Sequence, residues 1–461
     1  MIFEQHYLEC LSQASYFIGD QTTGRAVVVD PRRDVGVYLD AAAEHGMTIE
    51  LVLETHFHAD FLSGHLELAA ATGAEIGYSS VAETEFASRK LSHGEIIDLG
   101  SVSLEIRHTP GHTPESMSIV VTEVGAEGPH AVLTGDTLFV GDVGRPDLLS
   151  SRGVTSEELA TQLYDSIHQQ LMTLPDSTRV YPGHGAGSAC GKNLSTDTWS
   201  TVGAQRATNY AVQDMSSAEF IDVVTSGQTA PPAYFSFDAG RNRELHDMLD
   251  EASITEPLPF AQVIALQAEG AVVLDSRDPV EFAAGHLAGS INVGLAGRFS
   301  EFTGGVVSPD ADIVLITEAG REVESKNRLA RIGFDNVIGH LDSPLLALAD
   351  HPENVAHLRR IDAAALDSMM STDSQAFELL DVRQPGETEG GFIPGARLIP
   401  LTRLNEQLGE LDPSRPTVVY CAGGFRSAIA ASRLMEAGFG DVTDVLGGYG
   451  AWETSHQGAS A

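Results

Sequence analysis

Over roughly the first two hundred residues, short apolar runs alternate with longer stretches of helical periodicity. Each apolar run ends in a polar or acidic residue: "RAVVVD" (25–30), "ELVLETH" (50–56), "AVLTGD" (131–136) and "RVYPGHG" (179–185). Runs of this length, bounded by turn residues, predict strands, while 157–174 has the length and spacing of a helix. Polar residues that could do chemistry therefore fall on loops after strands. The pattern is interrupted at "SGQTAPPAYF" (226–235), whose paired prolines suit a linker or a domain edge, and a first boundary is expected near residue 250.

Beyond it the chain repeats itself. "VVLDSRDPVEFAAGHLAGSINV" (272–293) matches "ELLDVRQPGETEGGFIPGARLI" (378–399), each with Asp-x-Arg and then a Gly ten positions after the Asp. "IVLITEAGREVESKNRLARIGFDNV" (313–337) likewise matches "VVYCAGGFRSAIAASRLMEAGFGDV" (418–442). Two copies of one small α/β unit are predicted. The expected division is 1–250, 255–355 and 360–461.

Composition narrows the partners. The chain has 461 residues, 42% of them hydrophobic, which suits several globular domains. Twenty-seven Lys and Arg stand against 65 Asp and Glu, a formal charge of −38. Such a field repels a phosphate backbone, so nucleic acid is not an expected partner. No apolar run reaches the roughly 18 residues a membrane span requires, and "MIFEQHYLECLSQASYF" lacks the pattern of an export signal. Cys10, Cys190 and Cys421 are odd in number and widely separated, which argues for thiols in a reducing compartment. A cytoplasmic protein is expected, and a homo-oligomer is compatible with the sequence.

The strongest chemical signal is "ETHFHADFLSGH" (54–65), with His56, His58 and Asp60 in one loop and His65 opening a helix. His112 in "HTPGHTPES", Asp136 in "LTGDTLFVGD" and His184 in "YPGHG" recur at later strand ends. This set resembles the metallo-β-lactamase superfamily over about residues 1–210, which implies an αββα sandwich with metal ligands on loops at one edge. Dinuclear hydrolases of that superfamily have a further histidine directly after the aspartate. Here that position is Phe61, which cannot ligate.

The missing histidine is most similar to the persulfide dioxygenase branch. That resemblance implies one Fe(II) per chain held by His56, His112 and Asp136, with His58, Asp60 and His184 around them orienting ligands or water. Two imidazoles and one carboxylate leave about three positions for dioxygen and substrate, whereas zinc is redox-inert. The imidazoles need partners for their second ring nitrogen. Arg145 in "GDVGRPD" and Lys192 could attract a substrate carboxylate, and Cys190, six residues after His184, could hold sulfur or be a small buried thiol. His65, His93 and His108 have no expected role.

A second site is expected where "VVYCAGGFRSAIAASRLMEAGF" runs from a buried strand through Cys421, Ala422, Gly423, Gly424, Phe425 and Arg426 into a helix. A helix N-terminus with converging amides favours a thiolate and bound anions, and Arg426 adds positive charge. The segment from about 360 to 455 resembles the rhodanese sulfurtransferases, with Asp381, Arg383 and "GFIPGA" in the corresponding places and Phe392 where a histidine is usual. Aligned on "RIGF" and "EAGF", the first copy has Ile316, beside Thr317, at the position of Cys421 and no cysteine at all, so it is expected to be inactive.

The expected class is thus α/β: a metallo-β-lactamase αββα sandwich followed by two rhodanese-like α/β domains, similar to the persulfide dioxygenase and rhodanese fusions of bacterial sulfide detoxification. The resemblance implies that a low-molecular-weight thiol persulfide and O2 give sulfite, and that Cys421 passes sulfane sulfur to sulfite to make thiosulfate. The rival expectations are a glyoxalase-II-like binuclear thioester hydrolase fused to a sulfurtransferase, and a non-catalytic sulfur carrier or docking protein.

Overall fold

The structure, a computed structural model, describes residues 1–148, 153–228 and 230–457, so Thr229 of the proline-containing stretch lies outside the described residues. The chain divides into two compact units. One comprises Met1–Asp250 with Ala330–Gly333, the other Glu251–Leu329 with Phe334–Ala461. No helix among the described residues is long and apolar enough to cross a membrane.

In the first unit the apolar runs form two six-stranded sheets. One holds β1 (Ile2–Leu8), β2 (Gln13–Asp20), β3 (Arg25–Val29), β4 (Thr48–Leu53), β5 (Glu75–Ser79) and β6 (Arg89–Leu91) in that order. The other holds β7 (Ile96–Asp98), β8 (Val102–His108), β9 (Met117–Glu123), β10 (Ala131–Gly135), β11 (Arg179–Pro182) and β12 (Ser200–Thr201), also in chain order. Both are mixed: β3 to β6 pair in parallel, as do β10 and β11, and the other neighbours are antiparallel.

Alternation along each strand explains the continuous apolar runs. Val27 and Val29 face the core between the sheets with Tyr16, Leu53, Ile106, Ile119 and Leu133, whereas Ala26 and Val28 face a second cluster with Tyr38, Ala42 and Leu68. On the opposite sheet Ile119 and Val121 point inward, while Val120 and Val132 pack under Leu163, Ile167 and Leu171 of the helical layer. A strand covered on both faces has no polar side to show in its sequence. Each such side chain contributes on the order of 1.5–3 kcal/mol by leaving water, which holds the strand ends, and the loops they carry, in place.

The predicted helix over 157–174 is in two parts. Ser156–Ser166 is α-helical and starts in a capping box between Thr155 and Glu158, and Ile167–Leu171 continues as a wider π turn. Gly111, at φ +146°, sits against the backbone of Leu163, where a Cβ would collide. Glycine thereby lets the loop carrying His112 lie directly on this helix.

The second unit contains two five-stranded parallel sheets of identical order. In the first the strands lie Pro257–Leu258, Val337–Leu341, Ile313–Ile316, Val272–Asp275, Ile291–Asn292. In the second they lie Arg359–Ile361, Val442–Val445, Thr417–Tyr420, Glu378–Asp381, Arg397–Leu398. The registers are equivalent too, and they correct the expected alignment. Asp275 pairs with Ile316 and Asp381 with Tyr420. Thr317, not Ile316, therefore occupies the position of Cys421. The expected alignment was anchored downstream of the loop, and the segment between strand and "GF" is one residue shorter in the first copy. The absence of a sulfur nucleophile there is unchanged.

Candidate functional site

Four strand ends of the first unit converge. The segment after β4 carries Glu54, His56, His58 and Asp60, that after β8 His112, that after β10 Asp136, and that after β11 His184, all 5% exposed or less. His56, His112 and Asp136 form one group with potential ligand atoms within 4.8 Å of one another; Asp60, His184 and Cys190 form a second, and Asp30, Glu54 and His58 a third.

In the first group both imidazoles are turned the same way. His112 Nδ1 donates to the Arg145 carbonyl at 2.9 Å, which leaves its Nε2 facing Asp136 Oδ2 at 3.6 Å. Thr55 Oγ1 donates to Asp30 Oδ2 at 2.8 Å and so accepts from His56 Nδ1 at 2.9 Å. His56 Nε2 then lies 3.9 Å from Asp136 Oδ2, buried and without a hydrogen-bond partner among the described residues. Fixing one ring nitrogen as a donor makes the other a lone-pair acceptor, the state a metal requires. Burial and the neighbouring His58 hold His56 well below its ordinary pKa, and burial lowers His112 despite Asp136. Burial would raise Asp136, but the charge and Nδ1–H of His184 outweigh it and hold the carboxylate well below the usual range. Two neutral imidazoles and one anion suit a divalent cation.

His184 lies between two carboxylates. Its Nδ1 donates to Asp136 Oδ1 at 2.8 Å, and its Nε2 is 2.7 Å from Asp60 Oδ2 without hydrogen-bond alignment. Burial opposes its charge, yet Asp136 and Asp60 push its pKa well up. Phe61 is buried beside it, with ring centroids 6.4 Å apart, and 4.3 Å from His58.

His58 does not join His56. Its Nε2 is 3.1 Å from Asp30 Oδ1 and 3.3 Å from Glu54 Oε2. Burial lowers it, but Asp30 and Glu54 prevail and push it up to about 10; burial pushes Glu54 up to about 7 against the pull of His58. Asp30 and Glu54 were not singled out in the sequence. Asp30 ends an apolar run as Asp136 does, and that shared signature could have found it.

Of the weaker candidates, Arg145 is buried with its Nε and Nη2 on Asp147 at 2.6 and 2.8 Å and Nη1 on the Ala189 carbonyl at 3.2 Å. It braces the His112 loop, whose Nδ1 it receives. Lys192 is half-buried, with Nζ on the Val223 carbonyl at 2.5 Å. Cys190 is buried, and burial, with Asp60 and Asp136 near, pushes its thiol well up.

In the second unit, strand Thr417–Tyr420 leads through Cys421 to the helix Phe425–Glu436. Gly424, at φ +101°, is the turn residue that lets its N–H point back, and it donates to Cys421 Sγ at 3.1 Å. The loop is held from behind by the Tyr449 and Gly450 amides on the carbonyls of Cys421 and Ala422. Arg426 makes a two-pronged pair with Glu387, both contacts at 2.6 Å, so its charge is shared with a carboxylate. Glu387 went unnoticed in the sequence because it belongs to the distant 378–399 segment. Buried Asp–Arg pairs, Asp275–Arg277 and Asp381–Arg383, brace corresponding loops of the two copies.

These arrangements match known families. Residues 8–184 match the metallo-beta-lactamase superfamily, and residues 260–343 and 362–455 each match the rhodanese-like domain. The chain is 28% identical over 235 residues to persulfide dioxygenase ETHE1, mitochondrial, of Bos taurus, covering 50% of this chain and 82% of that one. It is 33% identical over 181 residues to a cytoplasmic hydroxyacylglutathione hydrolase of Arabidopsis thaliana, covering 39% of this chain and 66% of that one. Among solved structures it is similar to a metallo-beta-lactamase from Staphylococcus aureus subsp. aureus COL, with TM-score 0.66 and 34% identity over 74% of this chain and 98% of that one.

Proposed function

We propose, for a chain that belongs to the metallo-β-lactamase superfamily and carries two rhodanese-like domains behind that domain, a persulfide dioxygenase coupled to a sulfurtransferase. The proposed division is 1–250, 255–355 and 360–461, with the first copy inactive and the chain cytoplasmic. The overall chemistry is oxidation of a thiol persulfide by O2 and water to thiol and sulfite, followed by transfer of a sulfur atom from a Cys421 persulfide to sulfite, giving thiosulfate.

The observation that carries the reading is the orientation of His56 and His112. Both turn Nε2 toward Asp136, and Phe61, at the sequence position where dinuclear relatives have a histidine, packs beside the His184 ring. The donor set fits one Fe(II), which His56, His112 and Asp136 would hold and which would supply the one-electron chemistry that O2 needs. The protein's own groups then keep this set in one state. Thr55 and the Arg145 carbonyl fix the two rings, and His184 holds its proton on Nδ1 against Asp136. Phe57, Phe61 and Phe139 are buried and keep the loops dry. In the sulfurtransferase loop the Gly424 amide stabilises negative charge on the sulfur of Cys421.

The test is oxygen uptake by iron-loaded protein given a thiol persulfide, with sulfite and thiosulfate measured in the same vessel. Iron-dependent uptake ending in thiosulfate is expected; no uptake with iron bound would overturn the dioxygenase. The second reading, a thioester hydrolase, is favoured by the Asp60, His184 and Cys190 group beside the first and by the likeness to a hydroxyacylglutathione hydrolase. Two metal ions per chain and thioester cleavage without oxygen uptake would establish it.

A further inference from the structure

A cavity of about 460 Å3 in the second unit lies where the two rhodanese-like copies meet. One wall is the persulfide loop itself, through Gly423, Gly424 and Phe425. Cys421 itself is buried and does not line the cavity, but Gly424, which does, donates to its Sγ, so the residue that holds the sulfur also borders the cavity. The opposite wall comes from the copy that lacks a cysteine. It comprises the ends of that copy's parallel strands, where ligands of such sheets bind, and includes Asp278, Glu318 and Arg321. The two copies are joined here: the Phe425 and Phe302 rings are 5.6 Å apart, and the Asn292 N–H donates to Ser432 Oγ at 2.9 Å.

The wall is zwitterionic. Arg321 is about half exposed, and among the described residues its guanidinium pairs only with Glu324, through a surface ion pair of 2.8 Å that a ligand can replace at small cost. Arg360 also lines the cavity, but its Nε is committed to Asp444 at 2.9 Å. Among the described residues the Glu318 carboxylate has no hydrogen bond or ion pair, and the Asp278 carboxylate accepts only from the Val280 N–H. Two carboxylates beside the arginines disfavour a small inorganic dianion, and the volume is that of a small organic ligand.

We propose that this cavity binds the carrier part of an amino-acid-type thiol persulfide, its carboxylate toward Arg321 and its ammonium toward Asp278 and Glu318, and so sets which donors load Cys421. The inference rests on the sulfurtransferase reading above. The Cys421 thiolate attacks the outer sulfur of the donor, one S–S bond forms as the donor's S–S bond breaks, and the carrier leaves as a thiolate with the electron pair. No net oxidation occurs. The cysteine-less copy is on this account a specificity wall.

The experiment measures single-turnover loading of Cys421 by intact-protein mass spectrometry, as the gain of one sulfur atom, from cysteine, glutathione and 2-mercaptoethanol persulfides. The amino-acid donors are expected to load at least about tenfold faster than the neutral one, the worth of one charged contact. Arg321→Ala and Asp278→Asn, the latter able to keep its helix cap, should each collapse that ratio severalfold. Val280→Trp, at an exposed cavity position, should slow every organic donor. Equal loading by all donors in the native chain, or a ratio unmoved by both charge variants, would overturn the cavity assignment alone. No sulfur on Cys421 from any donor would overturn the sulfurtransferase reading as well.

Discussion

The cluster of His56, His112 and Asp136 and the loop around Cys421 solve one problem, holding side chains in a fixed electrostatic state, by different means. At the loop the work is done by backbone within six consecutive residues: Gly424 N–H on Cys421 Sγ, with Tyr449 and Gly450 behind. At the cluster side chains from four strand ends meet: His112 is oriented by the Arg145 carbonyl from a later loop, and His56 by its neighbour Thr55, which is itself held by Asp30 from another strand end. A loop of amides depends on the conformation of a few residues. A buried network depends on every strand being in register, because each uncompensated polar group in it costs the full desolvation penalty.

The comparison breaks most sharply if each site is removed alone. Cys421→Ser is expected to abolish sulfur transfer from thiosulfate to cyanide while oxygen uptake persists and sulfite accumulates. Continued thiosulfate production would refute the division of labour. His112→Ala should lower oxygen uptake by more than about a hundredfold, since even an outer partner of a metal ligand is worth 10–100-fold, and leave cyanide-dependent transfer in place. Loss of both activities would mean that the sites are not separable.

Smaller changes sharpen the contrast. Thr55→Val removes the hydroxyl that orients His56, and metal affinity measured by competition with a chelator should fall about 10–100-fold, with the fold intact by circular dichroism. Glu387→Gln should leave Arg426 as a free cation and lower the half-saturating sulfite concentration severalfold, to the extent that the pair screens an exposed charge. An unchanged value would show that Arg426 does not reach the acceptor.

The smallest effect is on stability. Burial raises Glu387, but Arg426 prevails and lowers it, so the pair stabilises the fold above the ordinary carboxylate pKa of about 4.3 and that contribution is lost as pH falls below it. The pair is more than a third exposed on the Glu387 side, so the loss should be under about 1 kcal/mol. Comparison of the native and Glu387→Gln unfolding midpoints at pH 7 and pH 3.5 checks the sign.

The sequence by itself determined what is local. The strands of the first unit, the duplication of the second, the strand, turn and helix around Cys421 and the absence of a sulfur nucleophile from the first copy all follow from neighbouring residues and their periodicity. The histidines and aspartates at strand ends were legible because loops after buried strands are where such residues collect. Only the tertiary structure decided their partners. His58 turned to Asp30 and Glu54, Arg145 closed on Asp147, Arg426 on Glu387, and Thr317 proved to hold in the first copy the position that Cys421 holds in the second. A side chain's partner in a buried network is set by where separate strands and loops come together, a quantity that spacing along one chain does not encode.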